Sequence, residues 1–134
     1  MTEQQIELVQ KSWEKVAAIR EVAGNLFYEN LFRKDPTLKQ LFKSGNMQEQ
    51  GAKLLAMIGA AVHGLKNLDA LVPTVQELGR RHVGYGVQDA HYATVGSALI
   101  ETLRTGLGTD FTPETEQAWL AVYTVLASTM QEAK

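Results

Sequence analysis

Val72-Pro73-Thr74-Val75-Gln76-Glu77-Leu78-Gly79-Arg80-Arg81-His82-Val83-Gly84-Tyr85-Gly86-Val87 sets one histidine near the end of a short helical stretch closed by glycines. Leu78 precedes His82 by four positions, about 400° at about 100° per residue, so the two side chains share a helix face. An apolar wall under one imidazole suits a ring that aims one nitrogen at a metal while the other donates to a nearby acceptor and so fixes the tautomer. Haem iron, which asks of the protein one axial imidazole and apolar surroundings, fits that arrangement. The competing reading is an ordinary core or surface histidine. The rest of the chain decides between the two.

At 134 residues the chain suits one compact domain, large enough for a single core and too short for a second catalytic domain. Its 45% hydrophobic content and 21% charge are ordinary for a soluble globular protein, and a net charge of −2 gives no basic footprint for nucleic acid. There is no cysteine, which excludes disulfides, zinc–thiolate sites and iron–sulfur clusters. Glu3, Glu7, Lys11, Glu14, Lys15 and Arg20 interrupt any apolar run at the start, which argues against a signal peptide and makes the cytoplasm the expected location. The longest uncharged run, Gln117 to Gln131, is fifteen residues of mixed polarity. A spanning helix needs roughly 20 apolar residues, so no membrane role is expected.

The helical period recurs from end to end. Thr2 with Gln5 reads as a capping box ahead of Ile6, Val9, Trp13 and Val16. Near Arg20 the apolar phase shifts, and a second helix carries Val22, Leu26, Phe27, Tyr28, Leu31 and Phe32. Asp35-Pro36 opens a short helix ending at Leu41-Phe42, because aspartate caps and proline fits the first helical position. Lys43 to Gln48 reads as a loop, and Leu54, Leu55, Ile58, Ala61, Val62 and Leu65 resume the period after Gln50. His63 falls about 180° from Leu54 and should face away from that stripe. Asn67-Leu68-Asp69 breaks the helix, with Asp69 as a cap for the stretch that carries His82. Asp89 starts a helix through Tyr92, Val95, Leu99, Ile100 and Leu103, where Gly96 offers a close helix crossing. Thr112-Pro113 repeats the cap-then-proline device before Trp119, Val122, Tyr123, Leu126 and Met130. With no alternating run for a strand and no repeat, the spacing predicts one all-α domain of about seven helices.

Four features fall in a fixed order: a tyrosine in the second helix, Leu41-Phe42 after a capped turn, a glutamine opening the next long helix, and His82 thirty-two positions beyond it. This order resembles the globins. The likeness is to bacterial single-domain globins and the haem domain of flavohaemoglobins, through Phe27-Tyr28-Glu29-Asn30-Leu31-Phe32, Asp35-Pro36, Leu41-Phe42 and His91-Tyr92-Ala93-Thr94-Val95-Gly96. It covers residues 1–134 and implies a globin fold around haem b. It also implies that His82 is the iron ligand, Phe42 the ring packed on the haem, Tyr28 and Gln50 the distal polar pair, and Leu54 the apolar neighbour of a bound gas. Leu78, Val87, Tyr92 and Val95 complete the implied haem walls. A phenol and an amide in a dry pocket give two hydrogen-bond donors to dioxygen, from which carbon monoxide gains less. In the flavohaemoglobin pattern a tyrosine at the place of Tyr92 works with a late glutamate to make the ligand histidine more basic. That place falls here on Lys134, with Glu132 about two residues off, roughly 200° around the helix, so a weak proximal push is expected. His91 reads as surface or haem-edge.

The resemblance implies reversible binding of dioxygen and of other diatomic gases, carbon monoxide and nitric oxide. It extends to nitric oxide dioxygenation, for which an external electron-donor reductase is expected as partner because no flavin or nicotinamide module is evident in the sequence. A haem-based gas sensor is the alternative, against which stands the lack of an evident output domain. A helical interaction module without haem is a third reading, and a Soret band would reject it.

Overall fold

The computed structural model describes residues 2–41, 47–84 and 86–133, with backbone only at 41 and 47–49. Among these, six α-helices follow one another without a strand: α1 (Glu3–Ala18), α2 (Arg20–Lys34), α3 (Met47–His63), α4 (Leu68–Gly84), α5 (Asp89–Leu107) and α6 (Pro113–Glu132). The expected seventh helix is a 3₁₀ turn, Pro36–Leu41, and two shorter ones join the longer helices at Leu65–Asn67 and Gly108–Asp110.

The caps read from the sequence are present in atoms. Thr2 accepts from the Gln5 amide at 3.1 Å while the Gln5 side chain accepts from the Thr2 amide at 3.0 Å. Thr112 accepts from the Thr115 amide at 3.2 Å, with Pro113 in the first turn. Asp35 accepts from the Thr37 amide at 3.1 Å and so starts the turn that proline opens. Two boundaries differ from expectation. Met47 and Gln48 belong to α3 rather than to a loop; the rest of that expected loop, and Phe42, lie outside the described residues. The break after α3 comes at Gly64, and α4 begins at Leu68, so Asp69 sits in the first turn instead of capping it. A carboxylate there still faces the positive end of the helix dipole. Helix α5 begins at Asp89, as the spacing predicts, with Gln88 as its N-cap, and His91 Nδ1 accepts the Gln88 backbone N–H at 3.0 Å.

The core is built where α1 meets α6 and α3, and where α2 meets α3 and α5. Leu31, Leu65, Leu103, Val9, Val62, Val122 and Trp119 are fully buried in it. Burying side chains of this size contributes about 1.5–3 kcal/mol each relative to exposure. Two polar groups go inside with partners: Trp119 Nε1 donates to Ser12 Oγ at 2.8 Å, and Asn30 Nδ2 to Thr102 Oγ1 at 3.1 Å. Both bonds tie distant helices together at defined points. Helix α4 is the exception to this packing. It is held mainly by α6, and the chain bends by 57° between α3 and α4. The two helices therefore diverge instead of packing along their length.

Candidate functional site: a histidine-lined cleft between α3 and α4

His82 lies in the last turn of α4, half-buried, with its Nδ1 2.8 Å from the carbonyl oxygen of Leu78. A carbonyl can only accept, so Nδ1 carries the proton and Nε2 is the basic nitrogen of the neutral ring. The acceptor expected of a metal-binding imidazole is thus supplied by its own helix, one turn back.

Across the cleft, α2 and α3 cross at two glycines. A methyl at Gly24 would come 3.3 Å from Gly51 Cα, a tight contact that only glycine admits without a shift. That crossing sets Tyr28, one turn after Gly24, beside Gln50, the neighbour of Gly51. Tyr28 is 6% exposed, edge-on to Phe27 at 5.2 Å between centroids and stacked on Phe32 at 5.8 Å. Its hydroxyl donates to the backbone carbonyl of Gln50 at 3.3 Å, long for a bond between oxygens and therefore weak. Burial pushes the phenol up to about 12, so at neutral pH it is a donor and not an anion. The sequence pairs Tyr28 with the Gln50 amide; the structure brings the two residues together through the Gln50 backbone.

Several of the apolar residues expected to wall the site are half-buried. Leu54, Ile58, Val95 and Leu126 are half-buried against the edge of the core, and Leu78, Val87 and Tyr92 are half-buried too. Side chains in this state would gain from a flat apolar group laid over them. One imidazole cannot hold a bare metal ion, but it is the whole protein contribution that iron already held by a macrocycle needs on one face. The residues present therefore fit haem.

The side of Tyr92 departs from expectation. Its phenol is pushed up by burial and by the Asp89 carboxylate, while its backbone carbonyl accepts the hydroxyl of Tyr123 at 2.6 Å. Gly96 makes the close crossing anticipated for it, since a Cβ there would meet the Tyr123 ring at 2.7 Å. Lys134 lies outside the described residues; Glu132, the nearby carboxylate, is exposed at the end of α6. His63 is exposed on α3, away from the stripe, as its spacing predicts. His91, expected at the surface or haem edge, is a half-buried cap partner. A groove of about 810 Å³ between α5 and α6, floored by Gly96 and Tyr123, shares no residue with the cleft.

Two determinants escape a reading by periodicity. Gly24 and Gly51 look like weak points in helices, yet they set the crossing that brings Tyr28 beside Gln50. Gly79 looks incidental beside His82, yet a Cβ there would stand 2.3 Å from the carbonyl oxygen of Met130 in α6. A glycine inside an otherwise regular apolar stripe is the one sequence signal for such contacts.

The pattern of the globin family matches residues 25–130. The chain is 32% identical to neuroglobin-1 of Oncorhynchus mykiss over 143 aligned positions, 97% of this chain and 90% of that protein. It is 30% identical to a flavohemoprotein of Vibrio cholerae, over 95% of this chain but 33% of that longer protein. A hexacoordinated heme protein from an anhydrobiotic tardigrade superposes with a TM-score of 0.88 at 22% identity, covering 99% and 94% of the two chains. The likeness to flavohaemoglobin haem domains is thus met, and it extends to vertebrate neuroglobins, which the motif reading did not include.

Proposed function

The chain belongs to the globin family, and from that premise we propose that it is an oxygen-binding haem protein with His82 as axial ligand and Tyr28 and Gln50 as the donors on the opposite face. The observation that carries this reading is the bond from His82 Nδ1–H to the Leu78 carbonyl, which makes Nε2 the nitrogen able to ligate. When bound, haem b supplies the iron that takes up a diatomic gas and exchanges electrons. The chain's own part is to hold, orient and keep dry. Leu54, Ile58 and Val95 would exclude water from the gas side, and Leu78, Val87 and Tyr92, half-buried, would pack against the group. Tyr28 can turn its weak bond from the Gln50 carbonyl to a gas carrying partial negative charge, and the Gln50 amide is a second donor to it. Dioxygen is favoured by such donors over carbon monoxide.

The reaction this arrangement supports is nitric oxide dioxygenation, in which nitric oxide, dioxygen and one electron give nitrate. In this reading the electron is supplied by an external electron-donor reductase. In this reading the chemistry resembles that expected of bacterial single-domain globins. A gas sensor uses the same cleft, and the likeness to neuroglobin-1 along nearly the whole of both chains keeps it as the second reading. Purified protein should show a Soret band and a reversible oxygen spectrum, and should consume nitric oxide catalytically once a reductase is added. Haem binding without catalytic consumption would favour the sensor; no haem binding would sink both.

A further inference from the structure

We propose that Gly79 is a positioning residue for the axial histidine, and that the end of α6 fixes the imidazole through backbone contact at this glycine. The inference rests on His82 being the iron ligand. A Cβ built on Gly79 would stand 2.3 Å from Met130 O, 2.7 Å from Met130 Cα and 2.8 Å from Met130 C. These are backbone atoms, unable to swing aside as a side chain would. Gly79 and Val75, one turn apart, are the buried residues of α4, so this face is the one laid on α6. His82 is three residues on, about 60° around the helix from Gly79, and therefore borders the same contact.

The link to the imidazole is covalent and short. The carbonyl that accepts from His82 Nδ1 belongs to Leu78 and lies in the same rigid peptide plane as the Gly79 nitrogen. Pressing α6 on Gly79 Cα therefore fixes the direction of that carbonyl, and with it the ring. Met130 is itself held, because its carbonyl also accepts the Ala133 N–H at 3.3 Å where α6 ends. The last turn of α6 thereby acts on the side of His82 through a backbone contact. A side chain at position 79 would push α4 away from α6, lengthen the Nδ1–H···O bond and leave the ring less electron-rich and less well aimed.

The test is a cycle on haem-loaded protein: Gly79→Ala, deletion of residues 130–134, and both together. The iron–histidine stretch of the ferrous form, by resonance Raman, should fall in Gly79→Ala. Release of oxygen and of carbon monoxide should change by the same factor, as befits a change on the ligand side away from the gas. In the chain lacking residues 130–134 the alanine meets no obstacle and should add no further shift, so the two changes couple. Gly96→Ala, which puts a Cβ against the Tyr123 ring at another crossing of α6, controls for general loosening and should leave the stretch in place. Should Gly79→Ala alone fail to fold, the truncated chain and its Gly79→Ala derivative still give the reading. An unchanged stretch in every variant overturns the inference about Gly79 while leaving His82 as ligand. A ferrous spectrum that survives His82→Ala without added imidazole overturns the ligand assignment itself.

Discussion

The two walls of the cleft are built on opposite plans. The wall that carries Tyr28 and Gln50 is part of the core: α2 and α3 cross at Gly24 and Gly51, and Tyr28 is wedged between Phe27 and Phe32. The wall that carries His82 is a single helix, held mainly by α6 and turned 57° away from α3. One wall is packed from several helices at once and the other chiefly from α6, with a close approach of backbones at glycine in each. A rigid donor set can discriminate between gases by hydrogen bonding, because moving it would disturb the core. If His82 holds the iron as proposed, a helix packed chiefly against one neighbour would make the metal–imidazole bond sensitive to how its far face is packed.

Breaking the single-helix wall at its centre should have the largest effect. His82→Ala removes the basic nitrogen from the cleft, and haem retention or the five-coordinate ferrous spectrum should be lost, to be restored in part by added imidazole. Haem titration followed by Soret absorbance checks this.

Next in size is damage to the packed wall. Gly24→Leu drives a large side chain into Gly51, where even a methyl is crowded at 3.3 Å. Overpacking of this kind costs about 1–3 kcal/mol, which for a domain of this size lowers the midpoint of thermal unfolding by several degrees. Because both donors move together, selectivity for oxygen over carbon monoxide should fall as well. A variant as stable and as selective as the parent would show that the α2–α3 crossing does not set the pair.

Smaller changes confined to the donors sharpen the contrast with the histidine side. A neutral hydrogen bond contributes about 0.5–1.5 kcal/mol, so Tyr28→Phe and Gln50→Leu should each speed oxygen release roughly several-fold to tenfold and carbon monoxide release less. The double variant should fall short of the product of the two if both donors share one oxygen atom. Stopped-flow release rates decide, and equal effects on both gases would reduce the pair to cavity-shaping residues.

The smallest effect concerns proton affinity in the packed wall. Tyr28 titrates at 10.0 in the open chain and at about 12 when folded, because burial penalises the phenolate. The folded state thus holds this proton more tightly, so its contribution is complete below pH 10 and is lost as pH rises from 10 to about 12. Tyr123, also raised by burial, acts with the same sign. Urea midpoints between about pH 8 and 11 should therefore decline for the parent and decline less steeply for Tyr28→Phe. Parallel curves would mean that Tyr28 is more solvated than its place between two phenylalanines implies.

The extent and order of the helices could be read from the chain because they follow from neighbours a few positions apart: the Thr2 and Thr112 caps, proline at 36 and 113, the apolar period, and the phase shift near Arg20. The candidate histidine and its apolar neighbour Leu78 were legible for the same reason, being one turn apart. Tertiary structure decided what spacing cannot encode. Gly24 meets Gly51 from twenty-seven positions away, and Gly79 meets Met130 from fifty-one. Such contacts depend on how whole helices settle against one another, and a missing side chain leaves no period by which to foresee them. The hydroxyl of Tyr28 found the Gln50 carbonyl, and that of Tyr123 the Tyr92 carbonyl, because a buried donor takes the nearest acceptor that packing presents. Sequence named the residues of the cleft through local periodicity and family likeness; the close approach of backbones at glycine fixed where those residues stand.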